Sequence, residues 1–323
     1  MINDLHLETH SFFGFRPGPN VLILGRVHGN EYCGTLATKA IIEAIRNGKY
    51  SLVSGSVTFI PITNPLAANR DARNGDRNLN RAFYQKLSGP QNFEDRLNNV
   101  LCPIIGKYDV VLDLHSFLKG KEPFALIGEK PSVEKKVFIK NNSINISEES
   151  LVSVLDVSTV LTNWSTTYVS GVKRRRLRDN IKTKPFTLNY DEKYGDGTTE
   201  FARSKGALAI TLECGQHIDP LAQFVGENSI LSLLKFLGII ENYKQRNDTS
   251  KQKFIKLFDV IDKHDESDYF HEQWSTFSEV KKGQIIGYRK NGQKIYSPTD
   301  CVLIFPNAKA EVGQEWIYLG KSC

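Results

Sequence analysis

The sequence predicts an α/β fold, with a mostly parallel or mixed central sheet, helices on both faces, and a small C-terminal all-β domain. Three observations predict it. Short apolar runs recur, at Val21-Leu22-Ile23-Leu24, Val110-Val111-Leu112 and Ala207-Leu208-Ala209-Ile210, as expected of strands buried on both faces. Segments with helical spacing lie between them, at 32–46 and 93–108, and alternating strands and helices imply a parallel sheet covered on both sides. Past residue 253 the pattern changes to short strand-like runs punctuated by Gly and Asn.

Taken in order, the Val21–Leu24 strand stops at Gly25, and a helix runs from about Tyr32 to Arg46, with Asn47-Gly48 as its stop. A second strand covers Ser56 to Ile62 and ends at Asn64-Pro65. The helical spacing of Phe93 to Tyr108 leads into a third strand, Asp109 to Leu114, which delivers His115-Ser116. Pro123 to Ile127 is a fourth strand, and Ala207 to Leu212 is another, delivering Glu213. Asn228 is placed to cap an apolar helix from Ser229 to about Tyr243. The polar run KQRNDTSKQK at 244–253 reads as a linker. The expected domains are therefore 1–245 and 254–323. In the second, Asn291-Gly292 between β-rich runs signals a hairpin, and Glu315 to Leu319 is a further strand.

Composition narrows the function classes. With 40% hydrophobic residues in 323, the chain can bury a core without disulfides or assembly, which leaves a homo-oligomer open. The net charge of +6 is mild, and part of it sits in Lys173-Arg174-Arg175-Arg176-Leu177-Arg178. A solvated face is the plainest reading of that run, and a basic rim that attracts carboxylates is the second. Nucleic-acid binding would call for an aromatic platform or a recognition motif, and neither accompanies it. The five cysteines (Cys33, Cys102, Cys214, Cys301 and Cys323) are odd in number and contain no CxxC pair, so a reduced, cytoplasmic setting is expected. The first 19 residues show no charged-then-apolar signal pattern, and no run approaches 18 apolar residues, so no membrane partner is expected.

Residues suited to metal and proton chemistry follow the apolar runs directly. His28 and Glu31 come after the first, His115 after the third and Glu213 after the last. In a parallel sheet the C-terminal strand ends share one edge, where open α/β sheets bind ligands. Two histidines and one carboxylate form a known zinc set that leaves the fourth position to water. Glu213 is then free to act as a general base. Each piece alone is weak: a single His after a strand is more often a hydrogen-bonded structural residue. The spacing HxxE is not HExxH, so a zincin helix is excluded. The segment 64–83 places four arginines in a polar stretch; it is either a flexible surface loop or a set of forked donors for carboxylates and a developing oxyanion.

The combination His28-Gly29-Asn30-Glu31, Asn64-Pro65, Asp76 through Phe83 (DRNLNRAF), Asp113-Leu114-His115-Ser116 and Thr211-Leu212-Glu213-Cys214-Gly215 resembles the succinylglutamate desuccinylase/aspartoacylase family of the zinc carboxypeptidase superfamily. Gly195 through Arg203 (GDGTTEFAR) and the 280–287 stretch (VKKGQIIG) are similar to it as well. The resemblance implies one zinc ion held by His28, Glu31 and His115, with Glu213 activating water. It implies that Arg73 polarises the scissile carbonyl and that Asn80 and Arg81 grip a substrate carboxylate. It also implies a tyrosine or further arginine near the leaving group, for which Tyr190, Tyr194 and the arginines of 174–178 are candidates. The expected function is zinc-dependent deacylation of an N-acyl amino acid or short peptide end. A metallocarboxypeptidase and a non-catalytic binding protein on the same scaffold are the alternatives, and imidazole with carboxylate also suits manganese, iron or nickel. The segment from about Ser132 to Lys193 matches no family pattern and is expected to shape the substrate pocket. His217 reads first as structural and second as a neighbour of the pocket; Asp113 is either support for a ligand or an ordinary strand-end carboxylate.

Overall fold

The apolar runs become the central strands in a computed structural model that describes residues 5–120, 122–139, 142–181, 190–241 and 252–323. The chain begins with β1 (His10–Phe13), β2 (Arg16–Gly25), α1 (Cys33–Arg46), β3 (Ser54–Ile60), α2 (Pro65–Asn69) and α3 (Phe93–Ile105). It continues with β4 (Val110–Phe117), β5 (Phe124–Leu126), β6 (Lys135–Ile139), β7 (Asn142–Ile146), α4 (Glu148–Val152), β8 (Thr159–Thr162) and α5 (Trp164–Arg178). Next come α6 (Thr198–Ser204), β9 (Leu208–Gln216), α7 (Ala222–Phe236) and β10 (Lys253–Asp262). The last strands are β11 (Tyr269–Phe270), β12 (Ser278–Val280), β13 (Ile285–Tyr288), β14 (Lys294–Tyr296), β15 (Cys301–Ile304) and β16 (Glu315–Ser322). No described helix is long and apolar enough to cross a membrane.

The chain divides into two compact units, one of residues 1–160 and 196–252, the other of residues 161–195 and 253–323. Residues 161–195 thus group with the C-terminal strands although they precede residue 245 in the chain. Contacts of α5 explain this: Thr167 donates to the Leu257 carbonyl at 3.0 Å, and Arg174 to the Val260 carbonyl at 2.7 Å. Most of the expected linker, 244–251, lies outside the described residues.

In the first unit, β2 runs parallel to both β3 and β4, β4 runs parallel to β9, and β1 and β5 pair antiparallel with β3 and β9. The middle strands carry Val21, Leu22, Ile23, Leu24, Val110, Val111 and Leu112, all fully buried. One covering layer is formed by Leu97, Leu101 and Ile105 of α3 with Leu79, Phe83 and Ala202. α1 and α7 are neighbours. Their approach is close at Gly226, where a side chain would come within 2.9 Å of Ala37 Cβ.

Three expectations are corrected. His115 and Glu213 lie within β4 and β9, not beyond their ends, because the pairing continues through His115 and Glu213 as partners. α7 starts at Ala222 rather than Ser229, and Asn228 sits inside it, with its amide donating to Asp156 at 3.1 Å. The run 173–178 is not simply a solvated face, since Arg175 is fully buried.

The second unit is built on the antiparallel strands β10, β16, β15 and β12, with β11, β13 and β14 as a smaller sheet. The hairpin expected at Asn291-Gly292 is present: β13 and β14 pair around it, and Gly292 takes a positive φ of 77°.

Candidate metal centre and active site

The strand register brings the candidate residues together. Gly25 at the end of β2 pairs with Leu114, and His115 of β4 pairs with Glu213 of β9. The turn after β2 therefore stands beside His115, with Glu213 on its other side. His28, Glu31 and His115 are all buried, and their ligand atoms lie within 4.8 Å of one another. His28 Nδ1 is 2.9 Å from one Glu31 oxygen, and His115 Nδ1 is 2.9 Å from the other. The Ser116 backbone N–H also donates to Glu31, at 3.2 Å.

The opposite ring nitrogens are held too. His28 Nε2 lies 3.0 Å from Asn78 Oδ1, and His115 Nε2 lies 3.0 Å from Asp113 Oδ2. Metal-binding histidines characteristically have their second nitrogen claimed by a carbonyl or carboxylate in this way. Two imidazoles and a carboxylate, buried and converging, are the donor chemistry of a divalent transition-metal site. The residues present therefore fit a metal ion.

Electrostatics follow from crowding. Burial, with Arg73 nearby, pushes His28 down to about 4. Burial also opposes charge on Glu31, yet the two imidazoles hold it well below the usual carboxylate range. Burial works against a charged His115, but Asp113 and Glu31 hold its pKa well above the ordinary value. Glu213 goes the other way: burial pushes it up to about 7, with His115 pulling against the shift and Glu31 adding to it. Its Oε2 is buried and makes no hydrogen bond.

The 64–83 segment is not a flexible loop. Asn64 caps α2 by accepting from the Ala67 N–H at 3.1 Å. Glu94 of α3 accepts from Asn64 Nδ2 and from the backbone N–H groups of Asp76 and Arg77, each at 3.1 Å. Arg77 donates to Asp95 at 3.0 Å and to the carbonyls of Asn78 and Arg81. Arg73, with a half-exposed side chain, reaches Glu31 Oε1 at 3.2 Å and thus joins the cluster. Asn80 accepts from the Thr198 N–H at 3.0 Å, and Arg81 donates to the Asn80 carbonyl at 2.9 Å.

His217 is tied to the cluster at one remove: its Nδ1 lies 2.7 Å from Ser116 Oγ. Three of the arginines proposed near a leaving group are engaged inside the second unit. Arg174 meets Asp259, Arg175 meets Asp262 and Glu315, and Arg178 meets Asp179. Tyr190 donates to Asp179 at 2.8 Å. Sequence reasoning missed Asn78 and Thr198. Both stood in quoted stretches, Asn78 in DRNLNRAF beside two assigned residues and Thr198 in GDGTTEFAR, and that was the available signal.

The chain is similar to known proteins in sequence and in fold. The model of the succinylglutamate desuccinylase/aspartoacylase catalytic domain matches residues 17–138, a stretch that holds His28, Glu31, Arg73, Asn80, Arg81 and His115. A succinylglutamate desuccinylase of a Shewanella species is 23% identical over 93% of this chain and 81% of its own length. An N-alpha-acetyl-L-2,4-diaminobutyric acid deacetylase of Halomonas elongata is 35% identical over 31% of this chain and 29% of its own. The solved structure of a succinylglutamate desuccinylase from Vibrio parahaemolyticus shares the fold, with a TM-score of 0.69 and 17% identity, covering 97% of this chain and 86% of that one. With the motifs in order along one strand edge, residues 17–138 match the succinylglutamate desuccinylase/aspartoacylase catalytic domain, and the fold of a solved succinylglutamate desuccinylase is shared over nearly the whole length.

Proposed function

We propose that the protein is a zinc-dependent hydrolase that cleaves the amide bond of an N-acyl amino acid or a similar small carboxylate-bearing substrate. The observation that carries this reading is the buried His28–Glu31–His115 cluster with Glu213 in register beside His115. The two relatives named above are a desuccinylase and a deacetylase of N-acyl amino acids, which supports the substrate class.

His28, Glu31 and His115 would hold the ion, and zinc there supplies Lewis acidity that brings the pKa of water from roughly 15.7 to about 7. Glu213, raised to about 7 by burial, exchanges its proton readily near neutrality. It takes a proton from water as base and returns it to the departing amine as acid. Arg73 offers donors to the carbonyl oxygen as that oxygen gains charge, worth roughly 3–4 kcal/mol per well-placed donor. Asn80 and Arg81 bind the substrate carboxylate and fix the amide relative to Glu213.

The test is Glu213→Gln. It should keep wild-type metal content and lose roughly 10²- to 10⁴-fold in turnover; near-normal turnover would mean that another group is the base. A panel of N-acyl amino acids and short peptides separates the substrate classes. Cleavage of peptide C-termini alone would replace deacylase with carboxypeptidase. Cleavage of neither by zinc-loaded protein would replace catalysis with binding.

A further inference from the structure

We propose that Thr198 is a positioning residue that serves the metal histidine and the carboxylate-binding loop at once, through two different atoms. Thr198 is fully buried at the start of α6. Its hydroxyl donates to Asp113 Oδ2, the same oxygen that lies 3.0 Å from His115 Nε2. The other Asp113 oxygen is buried and makes no hydrogen bond. The carboxylate is therefore oriented by the Thr198 hydroxyl, its side-chain hydrogen-bond donor, and faces His115 as an ion-pair neighbour. Without the hydroxyl, His115 would lean on a carboxylate free to rotate.

The second atom is the Thr198 backbone N–H, which donates to Asn80 Oδ1 at 3.0 Å. Since an N–H can only donate, that end of the Asn80 amide must be its oxygen. The NH₂ end is thereby turned the other way, as a donor for a carboxylate. The fit here is tight. A side chain on Gly197 would come within 2.0 Å of Asn80 Oδ1. The Phe83 N–H closes the same junction by donating to the Asp196 carbonyl at 3.0 Å.

Thr198's role rests on the reading of His115 as a zinc ligand and of Asn80 as a carboxylate donor. The two functions separate by substitution. Thr198→Val keeps the shape and the backbone N–H but lacks the hydroxyl. Zinc dissociation constants would be measured by competition with a chromophoric chelator. KM and kcat would be measured at saturating zinc on the best N-acyl amino acid from the panel. Thr198→Val should weaken zinc binding about 10- to 100-fold and leave KM unchanged, and Thr198→Ser should restore zinc affinity. Asn80→Ala should do the reverse, raising KM without changing zinc affinity. If valine is not accommodated, Thr198→Ala makes the same test, since it also retains the N–H.

In an Asp113→Asn background the valine substitution should cost little more, because the hydroxyl acts through that carboxylate. Wild-type zinc affinity in Thr198→Val, or full additivity with Asp113→Asn, would overturn the role, as would failure of serine to restore binding. A wild-type protein that binds no zinc would instead overturn the metal reading beneath it.

Discussion

His28 and His115 each turn one ring nitrogen toward Glu31, while Asn78 and Asp113 hold the other. Fixing the rings from behind is what makes such sites selective and tight. Asn78→Ala should accordingly lower zinc affinity by about 10- to 100-fold and, because Asn78 Oδ1 also accepts from the Asn80 N–H at 2.9 Å, lower the stability of the zinc-free protein by about 1 kcal/mol. Chelator competition and a melting curve check the two halves. The same geometry sets a pH dependence. Burial opposes charge on His115, but Asp113 and Glu31 hold its pKa well above the ordinary value, which favours the protonated imidazole in the zinc-free protein. Zinc bound as proposed would displace that proton, so apparent affinity should rise with pH, by up to about tenfold per unit, until His115 titrates. Calorimetric titration in two buffers of different ionisation enthalpy would count the proton; a flat profile between about pH 6 and 8 contradicts the assignment. His28, already lowered to about 4, adds no proton release in that range. His28, Glu31, His115 and Glu213 were legible in the sequence because their types recur at the ends of apolar runs. Asn78 and Thr198 lay inside quoted motifs, but their roles were not legible, because what an Asn or a Thr does there depends on a partner 50 or 85 positions away.

The metal turn is also constrained by the element packed against it. A side chain on Gly29 would lie 2.0 Å from the backbone of Ala67, so α2 sits directly on the His28–Glu31 turn. Arg26 clamps the same turn, donating to the Gly29 carbonyl at 2.6 Å. Gly29→Ala must push α2 and the turn apart, and overpacking of this kind costs about 1–3 kcal/mol. The variant should melt at lower temperature and bind zinc more weakly; an unchanged melting curve would show that α2 yields freely. α2 itself was hidden in a stretch read as loop, because its five residues are too few for periodicity and its order comes from Glu94 across the chain. The long elements were legible wherever burial dictates period: β2, β4 and β9 are apolar runs, and α1 and α3 are amphipathic. The start of α7 was not. Asn228 reads as an N-cap, but the helix runs through it from Ala222, and close packing of Gly226 against Ala37 overrides the low helix propensity of glycine there.

Over the whole chain, the two units are held by different physics. The first joins buried apolar strand runs to the polar cluster around His115, whereas the second places an ion network around one buried arginine beside its core. Arg175 is fully buried, its Nε 3.2 Å from Asp262 and its Nη2 3.2 Å from Glu315, and Nη1 donates to the Gly313 carbonyl at 2.9 Å. The sequence concealed this because Arg175 stands among exposed cations; only its spacing from Tyr168, Gly171 and Val172 puts it on the inner face of α5. Burial pushes Asp262 up to about 6 even with Arg175 pulling it down and Glu315 adding to the rise. A folded pKa above the ordinary 3.8 means that the folded state holds this proton more tightly than the unfolded one. Its stabilising contribution is complete below about pH 3.8 and is lost as pH rises through about 6. Arg175→Met removes the attraction that limits the loss and leaves two carboxylates without their cation, a change that typically costs about 3–5 kcal/mol. The deficit should therefore grow with pH: small near pH 4.5, where Asp262 keeps its proton, and several-fold larger near pH 8. Melting curves of wild type and variant at the two pH values decide it. A deficit equal at both would show that Asp262 does not ionise in the folded protein, and that Arg175 serves there through packing and its bond to Gly313 rather than through charge.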